Sequence, residues 1–185
     1  MTERENFDTA ALDLGHAFGY LYDYEVIALQ MLAKTLPLNA KIVNFGAGTG
    51  TSGMAFRLGN PTAKVWTIDI SEGGPLGGLE NERNAFNSAG IPIMLPEQIL
   101  GCSWDVGNEW QEKIDMVFID GDHSSEAVEK DIDAWIKHVK PGGYALFHDY
   151  EKDVWAGVKK VVDAKMEYHM PLFQIETVKV FRIRK

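Results

Sequence analysis

The sequence predicts an α/β domain: a seven-stranded, mostly parallel sheet with helices on both faces, ending in an antiparallel hairpin. Three observations predict it. Short apolar runs alternate with segments of helical periodicity from residue 41 to residue 167, the pattern of successive βαβ units. A glycine-rich turn, NFGAGTG (44–50), joins the first apolar run to the first helix of that series. Acids close three of the runs, Asp69, Asp120 and Asp149. Right-handed crossovers place such strand ends along one rim, where ligands bind.

Each element has its own signal. Residues 10–36 carry a long helical pattern that Pro37 ends. KIVNF (41–45) is a short apolar strand, and a helix follows from Thr51 to Leu58. KVWTIDI (64–70) is the second strand, and 79–89 reads as a helix closed by Gly90. IPIML (91–95) supplies a third strand, and irregular sequence runs from there to Trp110. IDMVFID (114–120) is the clearest strand, apolar on both faces as a central parallel strand must be. Val128, Ile132, Trp135, Ile136 and Val139 recur at helical spacing within 124–139, and KPGG stops that helix. YALFHDY (144–150) is a strand, 152–167 a helix with Val154, Val158, Val161 and Val162 on one stripe, and LFQIETVKVFRIRK the closing pair of strands. Trp135 and Trp155 fall on apolar stripes and are assigned to the core, whereas Asp131 and Asp133 are assigned to a solvated face.

Length and composition narrow the function classes. A chain of 185 residues fits one domain (1–185), divided into an N-terminal helical region (1–39) and a core (40–185). The formal charge of −9 argues against a nucleic-acid partner, whose phosphates need a basic surface. No apolar run reaches membrane-spanning length, and MTERENFDTA lacks the pattern of a signal peptide. Cys102 is the single cysteine, so an internal disulfide is excluded and a reducing, cytoplasmic setting is expected. The long N-terminal helix could pair subunits into a homo-oligomer. SEGGPLGGLE (71–80) reads either as a lid or as a plain connection.

The spacing of the glycine turn selects a ligand class. Gly46, Gly48 and Gly50 permit a sharp turn and a close backbone approach at a helix N-terminus. A dinucleotide loop requires a glycine where Thr51 stands, and a P-loop requires a lysine that is absent. Asp69, closing the second strand, is placed to accept from two ribose hydroxyls. An adenosine cofactor without a diphosphate is therefore expected; the duller reading is a tight turn with no ligand.

NFGAGTG, TIDI, FIDGDH and KPGGYALFHDY together resemble the class I S-adenosylmethionine-dependent methyltransferases over roughly residues 40–183. The D-G-x-H and H-D-Y pair is similar to that of the small metal-assisted O-methyltransferases acting on sugar hydroxyls and catechol-type acceptors. The resemblance implies a Rossmann-like fold and assigns Asn44, Gly46, Ala47, Gly48, Gly50, Asp69, Ile70, Cys102, Ser103 and Asp120 to the cofactor. Many members carry an acid where this chain has Asn44. The resemblance further implies a metal, Mg²⁺ or Mn²⁺, on Asp120, His148 and Asp149, with His123 as general base. His148 departs from the acidic pair usual there, and imidazole suits a borderline cation such as Mn²⁺ or Zn²⁺ better than Mg²⁺.

The implied chemistry is methyl transfer to a hydroxyl oxygen of a small molecule. It needs in-line alignment and an oxygen that has lost its proton, tasks for a positioned base and a bound cation. Duller readings stand beside each residue: Asp122 as a helix cap, His123 as a hydrogen-bonded turn residue, His148 as packing beneath the rim, Asp149 as a structural acid. Tyr150 either walls the acceptor pocket or is exposed. His16, His138 and His169 have no companions in sequence and are read as structural. Two rival functions remain at this level, a nicotinamide-dependent oxidoreductase and a non-catalytic binding module. The first lacks both the glycine spacing and a Tyr-x-x-x-Lys pair.

Overall fold

A computed structural model describes residues 20–89 and 94–185. Seven strands form one sheet: β1 (Lys41–Phe45), β2 (Lys64–Asp69), β3 (Glu97–Leu100), β4 (Ile114–Ile119), β5 (Val139–Phe147), β6 (Met170–Ile175) and β7 (Val178–Arg182). Their order is β3-β2-β1-β4-β5-β7-β6, parallel from β3 to β5 and antiparallel at β5-β7-β6. The order reverses between β1 and β4, which are hydrogen-bonded neighbours in the register Val43↔Val117. That reversal opens a crevice at the strand C-termini, the position where sheets of this kind bind ligands. The expected architecture, Rossmann-like with a terminal hairpin, is the one observed.

Among the described residues six α-helices cover the sheet, three on each face. α1 (Asp23–Thr35), α2 (Thr51–Gly59) and α3 (Leu79–Ser88) bury Val26, Leu29, Met54, Phe56 and Phe86 against Ile42, Val65, Met116 and Phe118. α4 (Ser103–Glu109), α5 (Ser125–Trp135) and α6 (Ala156–Met166) close the opposite core, where Trp135 and Phe45 meet at 5.2 Å between ring centroids. Successive residues of a strand point to opposite faces, so β4 feeds both cores at once: Val117 and Ile119 to one, Met116 and Phe118 to the other. No helix among the described residues is long and apolar enough to cross a membrane.

Several elements differ from expectation, each for a physical reason. The third strand is Glu97–Leu100; of the expected 91–95, residues 91–93 lie outside the described residues and Met94 and Leu95 are not in a strand. β3 is an edge strand, only partly covered, so it lacks the apolar run that marks a central strand. α4 occupies sequence read as irregular. It has under two turns and a central glycine, and Gly107 is required because a Cβ there would meet the Trp135 indole. KPGG does not end a helix. α5 stops at Trp135, a 3₁₀ turn follows (Ile136–His138), and Lys140–Gly143 lie inside β5 at an irregularity in its pairing with β4. α1 begins at Asp23, with Tyr22 extended, so the expected helix does not run continuously through residue 22; residues 10–19, including His16, lie outside the described residues.

α1 and α2 cross closely at Gly59, where an added Cβ would lie 2.1 Å from the Gln30 carbonyl oxygen and 2.9 Å from Ala33 Cβ. Gly59→Ala is expected to force the helices apart and destabilise the fold by about 1–3 kcal/mol. Urea denaturation measures this, and an unchanged midpoint would refute the tight crossing.

Candidate active site

β1 runs into the glycine turn with Gly46, Gly48 and Gly50 at φ of +75°, +49° and +91°, the left-handed region that favours glycine. Gly46 is doubly constrained, because a Cβ there would lie 2.4 Å from the Asp120 carbonyl oxygen. The turn after β1 therefore touches the chain leaving β4. At Gly48 the situation is opposite: a Cβ would meet nothing within 4 Å, so space is open beside the loop.

Asp69 ties this turn to β2. Its carboxylate accepts from the Ala47 N–H and the Ser71 N–H, both at 2.7 Å. Residues 71–78 fold against the same turn, with the Gly78 N–H donating to the Gly48 carbonyl at 2.9 Å. Ile70 beside Asp69 is 78% exposed. Cys102 is half-buried, and Ser103 opens α4. The Ser103 hydroxyl donates to Asp131, which is buried rather than solvated; burial pushes the Asp131 carboxyl up to about 7. Its neighbour Asp133 is exposed and pairs with Lys165, as expected.

A buried polar layer supports the loop from the α1–α3 side. Asn44 is fully buried, its amide donating toward Thr67 Oγ1 at 3.3 Å and the Gly46 carbonyl at 3.5 Å. Thr67 Oγ1 donates in turn to Glu82 of α3 at 2.9 Å, and Gln98 of β3 donates to the other Glu82 oxygen at 2.7 Å. Burial of Glu82 outweighs these bonds and pushes its carboxyl up to about 7. Sequence reasoning missed Glu82, since a lone glutamate in a helix carries no signal of burial.

The second half of the site is the cluster after β4 and β5. Asp120 Oδ1 lies 2.9 Å from His148 Nδ1 and 3.6 Å from His123 Nε2. His123 Nε2 is also 3.2 Å from Asp149 Oδ2, yet it is shielded from solvent and makes no aligned hydrogen bond. Asp149 has φ +52°, uncommon for a residue with a side chain, and accepts from Lys152 Nζ at 3.0 Å. The structure thus brings Asp120, His123, His148 and Asp149 together. Donor atoms of the first three fall within 4.8 Å of one another. Burial would raise the Asp120 carboxyl, but His148 and His123 outweigh it and hold the group below the usual carboxylate range. Burial likewise opposes charge on His148, but Asp120 and Glu25 overcome it and push the imidazole up to about 10.

Neighbouring residues sort the remaining expectations. Asp122 accepts from the Ser124 N–H at 2.7 Å, and Ser124 itself caps α5. Trp155 is not core. It is 41% exposed and stacks on His123 with centroids 5.0 Å apart and planes at 23°. It sits in a 3₁₀ turn (Asp153–Trp155) ahead of α6, outside the stripe that a continuous helix would give it. Tyr150 is buried and turned from the cluster, donating to Asp163 and accepting from Lys159 at 2.9 Å. His138 faces the Gly107 carbonyl, and His169 accepts from the Arg184 N–H.

The methyltransferase domain family aligns with residues 43–150, more than half of the chain. The chain belongs to that family. Among curated proteins, an uncharacterized protein of Acanthamoeba polyphaga mimivirus is 44% identical over 43 residues, 23% of this methyltransferase chain and 20% of that protein. The match thus spans about a fifth of that relative's length. A solved structure from Corynebacterium glutamicum superposes with a TM-score of 0.74 at 16% identity, covering 100% of this chain and 93% of the other. The O-methyltransferase TomG from Streptomyces achromogenes, solved in complex with SAM, gives a TM-score of 0.70 at 16% identity over 100% and 92% of the two chains. Likeness at that identity establishes the shared fold.

The raised Glu82 carboxyl has a measurable consequence. Unfolded, the group ionises near 4.5, whereas folded it keeps its proton to about 7. The folded state therefore binds more protons between those values, so stability from this group is full below about 4.5 and falls as pH rises to about 7. The fall is on the order of 3 kcal/mol, and Asp131 acts in the same direction. Glu82→Gln is expected to flatten the decline in urea-denaturation stability between about pH 5 and about pH 8, leaving the part due to Asp131. An unaltered slope would refute the buried, protonated Glu82.

Proposed function

We propose that this methyltransferase domain transfers a methyl group from S-adenosylmethionine to a hydroxyl oxygen of a small acceptor, with a divalent cation assisting. The observation that carries the reading is the contact between Gly46 and the Asp120 carbonyl. It sets a cofactor-type loop and a proton-accepting, cation-binding cluster side by side on one rim, the juxtaposition that donor and acceptor need for in-line transfer. The SAM complex of TomG, on the same fold, supports the choice of cofactor.

The residues present fit both groups. Gly48 leaves open space where a ligand would approach the loop. Asp69, held from behind by two amides, keeps lone pairs for ribose hydroxyls. Exposed Ile70 would offer an apolar surface to the adenine, and Cys102 and Ser103 would complete its surroundings. Asn44, Ala47 and Gly50 shape the loop itself. For the cation, the spacings among Asp120, His148 and Asp149 are the test, and the unpartnered His123 Nε2 lies beside them. Ligands about 2.1 Å from a metal lie about 3.0–3.4 Å from one another, and His148 Nδ1 stands 2.9 Å from Asp120 Oδ1 and 3.7 Å from Asp149 Oδ1, close to that range. Asp120 and His148, with Asp149 beside them, would hold the ion. When bound it would lower the pKa of a coordinated acceptor hydroxyl.

His123 has the role of general base. Trp155 fixes its ring plane, and Asp149 Oδ2 lies where it stabilises the imidazolium once the acceptor's proton arrives. The β4 turn and the strained Asp149 backbone set these groups on rigid strand ends.

Two measurements test the reading. Calorimetry with S-adenosylhomocysteine should give micromolar binding and NAD none, and Gly46→Ala, which drives a Cβ into Asp120, should weaken the former more than tenfold. No binding to the unaltered chain would overturn the proposal and favour a non-catalytic module. His123→Ala should keep cofactor affinity while slowing transfer of a radiolabelled methyl group to catechol and sugar acceptors by about 10²–10⁴-fold. An unchanged rate would remove His123 from the chemistry.

A further inference from the structure

His148 lies beneath the rim on the α1 side of the sheet, its ring 6.1 Å from that of Phe118. Its two nitrogens face different groups. Nδ1 looks into the cluster, 2.9 Å from Asp120 Oδ1 and 3.7 Å from Asp149 Oδ1, while Nε2 looks away from it, 3.3 Å from Glu25 Oε2. Glu25 is a fully buried carboxylate on the first turn of α1. Its Oε1 accepts from the Thr177 N–H at 2.8 Å and the Thr177 hydroxyl at 2.7 Å, and its Oε2 accepts from the Tyr22 N–H at 2.9 Å. These donors orient the carboxylate from two separate elements without neutralising it. A buried, ionised group is costly unless paired, and His148 is the partner it faces.

A carboxylate on one imidazole nitrogen fixes the proton there and leaves the other nitrogen's lone pair for a metal. We propose that Glu25 is the positioning residue of the cluster. When a cation takes the place of the proton that Nδ1 otherwise directs at Asp120, Glu25 holds the remaining proton on Nε2, which makes the cation position a mixed nitrogen–oxygen site. Such a donor set selects a borderline transition cation over Mg²⁺. The inference rests on the cation-assisted reading above and adds a residue outside the motifs that carried it. A purely structural Glu25, capping α1 and anchoring the β6–β7 turn, would have no effect on which cation binds.

Glu25→Gln separates the two roles. With Thr177 still bonded to the amide oxygen, the amide N–H₂ would give up the bond from the Tyr22 N–H, donate to His148 Nε2 and drive the ring proton onto Nδ1, toward the cation. Calorimetry and visible spectra with Co²⁺, alongside Mg²⁺, are read on the unaltered chain and the variant. The unaltered chain is expected to prefer Co²⁺, and the variant to bind it about 10–100-fold more weakly with altered d–d bands. Equal Co²⁺ affinity in the two proteins, or no preference over Mg²⁺ in the unaltered chain, would overturn the proposal. Because a buried substitution can unfold a protein, ¹⁵N NMR of the unaltered Zn²⁺-loaded chain provides an independent test. It should show His148 protonated at Nε2 and metal-shifted at Nδ1; a protonated Nδ1 would overturn the proposal. S-adenosylhomocysteine titrated into the same samples distinguishes the two levels: binding with a failed cation test refutes Glu25 alone, and no binding refutes methyl transfer itself.

Discussion

The backbone contact between Gly46 and Asp120 constrains everything else on the rim. β1 and β4 are adjacent because the strand order reverses between them, and their C-terminal exits must pass within van der Waals distance. Only a residue without a side chain, in a left-handed conformation, lets the β1 exit turn there. Given that turn, Ala47 can reach Asp69, α2 can start at Thr51, and Asp120 projects its carboxylate toward His123 and His148 rather than into the loop. Shape at one peptide thus determines where two kinds of chemistry meet.

Charge is distributed in two layers below that contact. Under the glycine turn Asn44, Thr67, Gln98 and Glu82 exchange hydrogen bonds in a region whose burial pushes the Glu82 carboxyl up to about 7. Under the cluster the layer is ionic, with Glu25 and Asp120 on either side of His148. The difference follows from what each carboxylate faces. Glu82 faces amides and a hydroxyl, which cannot offset the loss of solvation, while Glu25 and Asp120 face an imidazole that can carry a proton.

Central strands and the motifs at their ends were legible in the sequence because burial on both faces leaves an unbroken apolar run that stops abruptly at a polar residue. β4 and Asp120 show this most clearly. The edge strand β3 was misplaced because half its surface faces solvent, and α4 was missed because it is too short to show a period. Of the cluster, Asp120, His123, His148 and Asp149 could be named from FIDGDH and HDY. Trp155 was assigned to the core because helical spacing was carried back across a 3₁₀ turn. Glu25, Glu82 and Asp131 could not be found at all, since their roles depend on partners far away in sequence and periodicity records only local neighbours.

That distance has a consequence for how the domain assembles. Glu25 reaches His148 across 123 residues and Thr177 across 152. A growing chain therefore exposes α1, the glycine turn and most of the sheet before the residues that compensate Glu25 exist. Until β7 inserts beside β5, Glu25 lacks the two hydrogen bonds from Thr177 and only part of its burial is compensated. Docking of α1 is thus tied to the arrival of the hairpin, and contacts of such long range are formed late because their loop-closure entropy is met last. The set of donors around Glu25 is therefore complete only when the turn carrying Thr177 has docked.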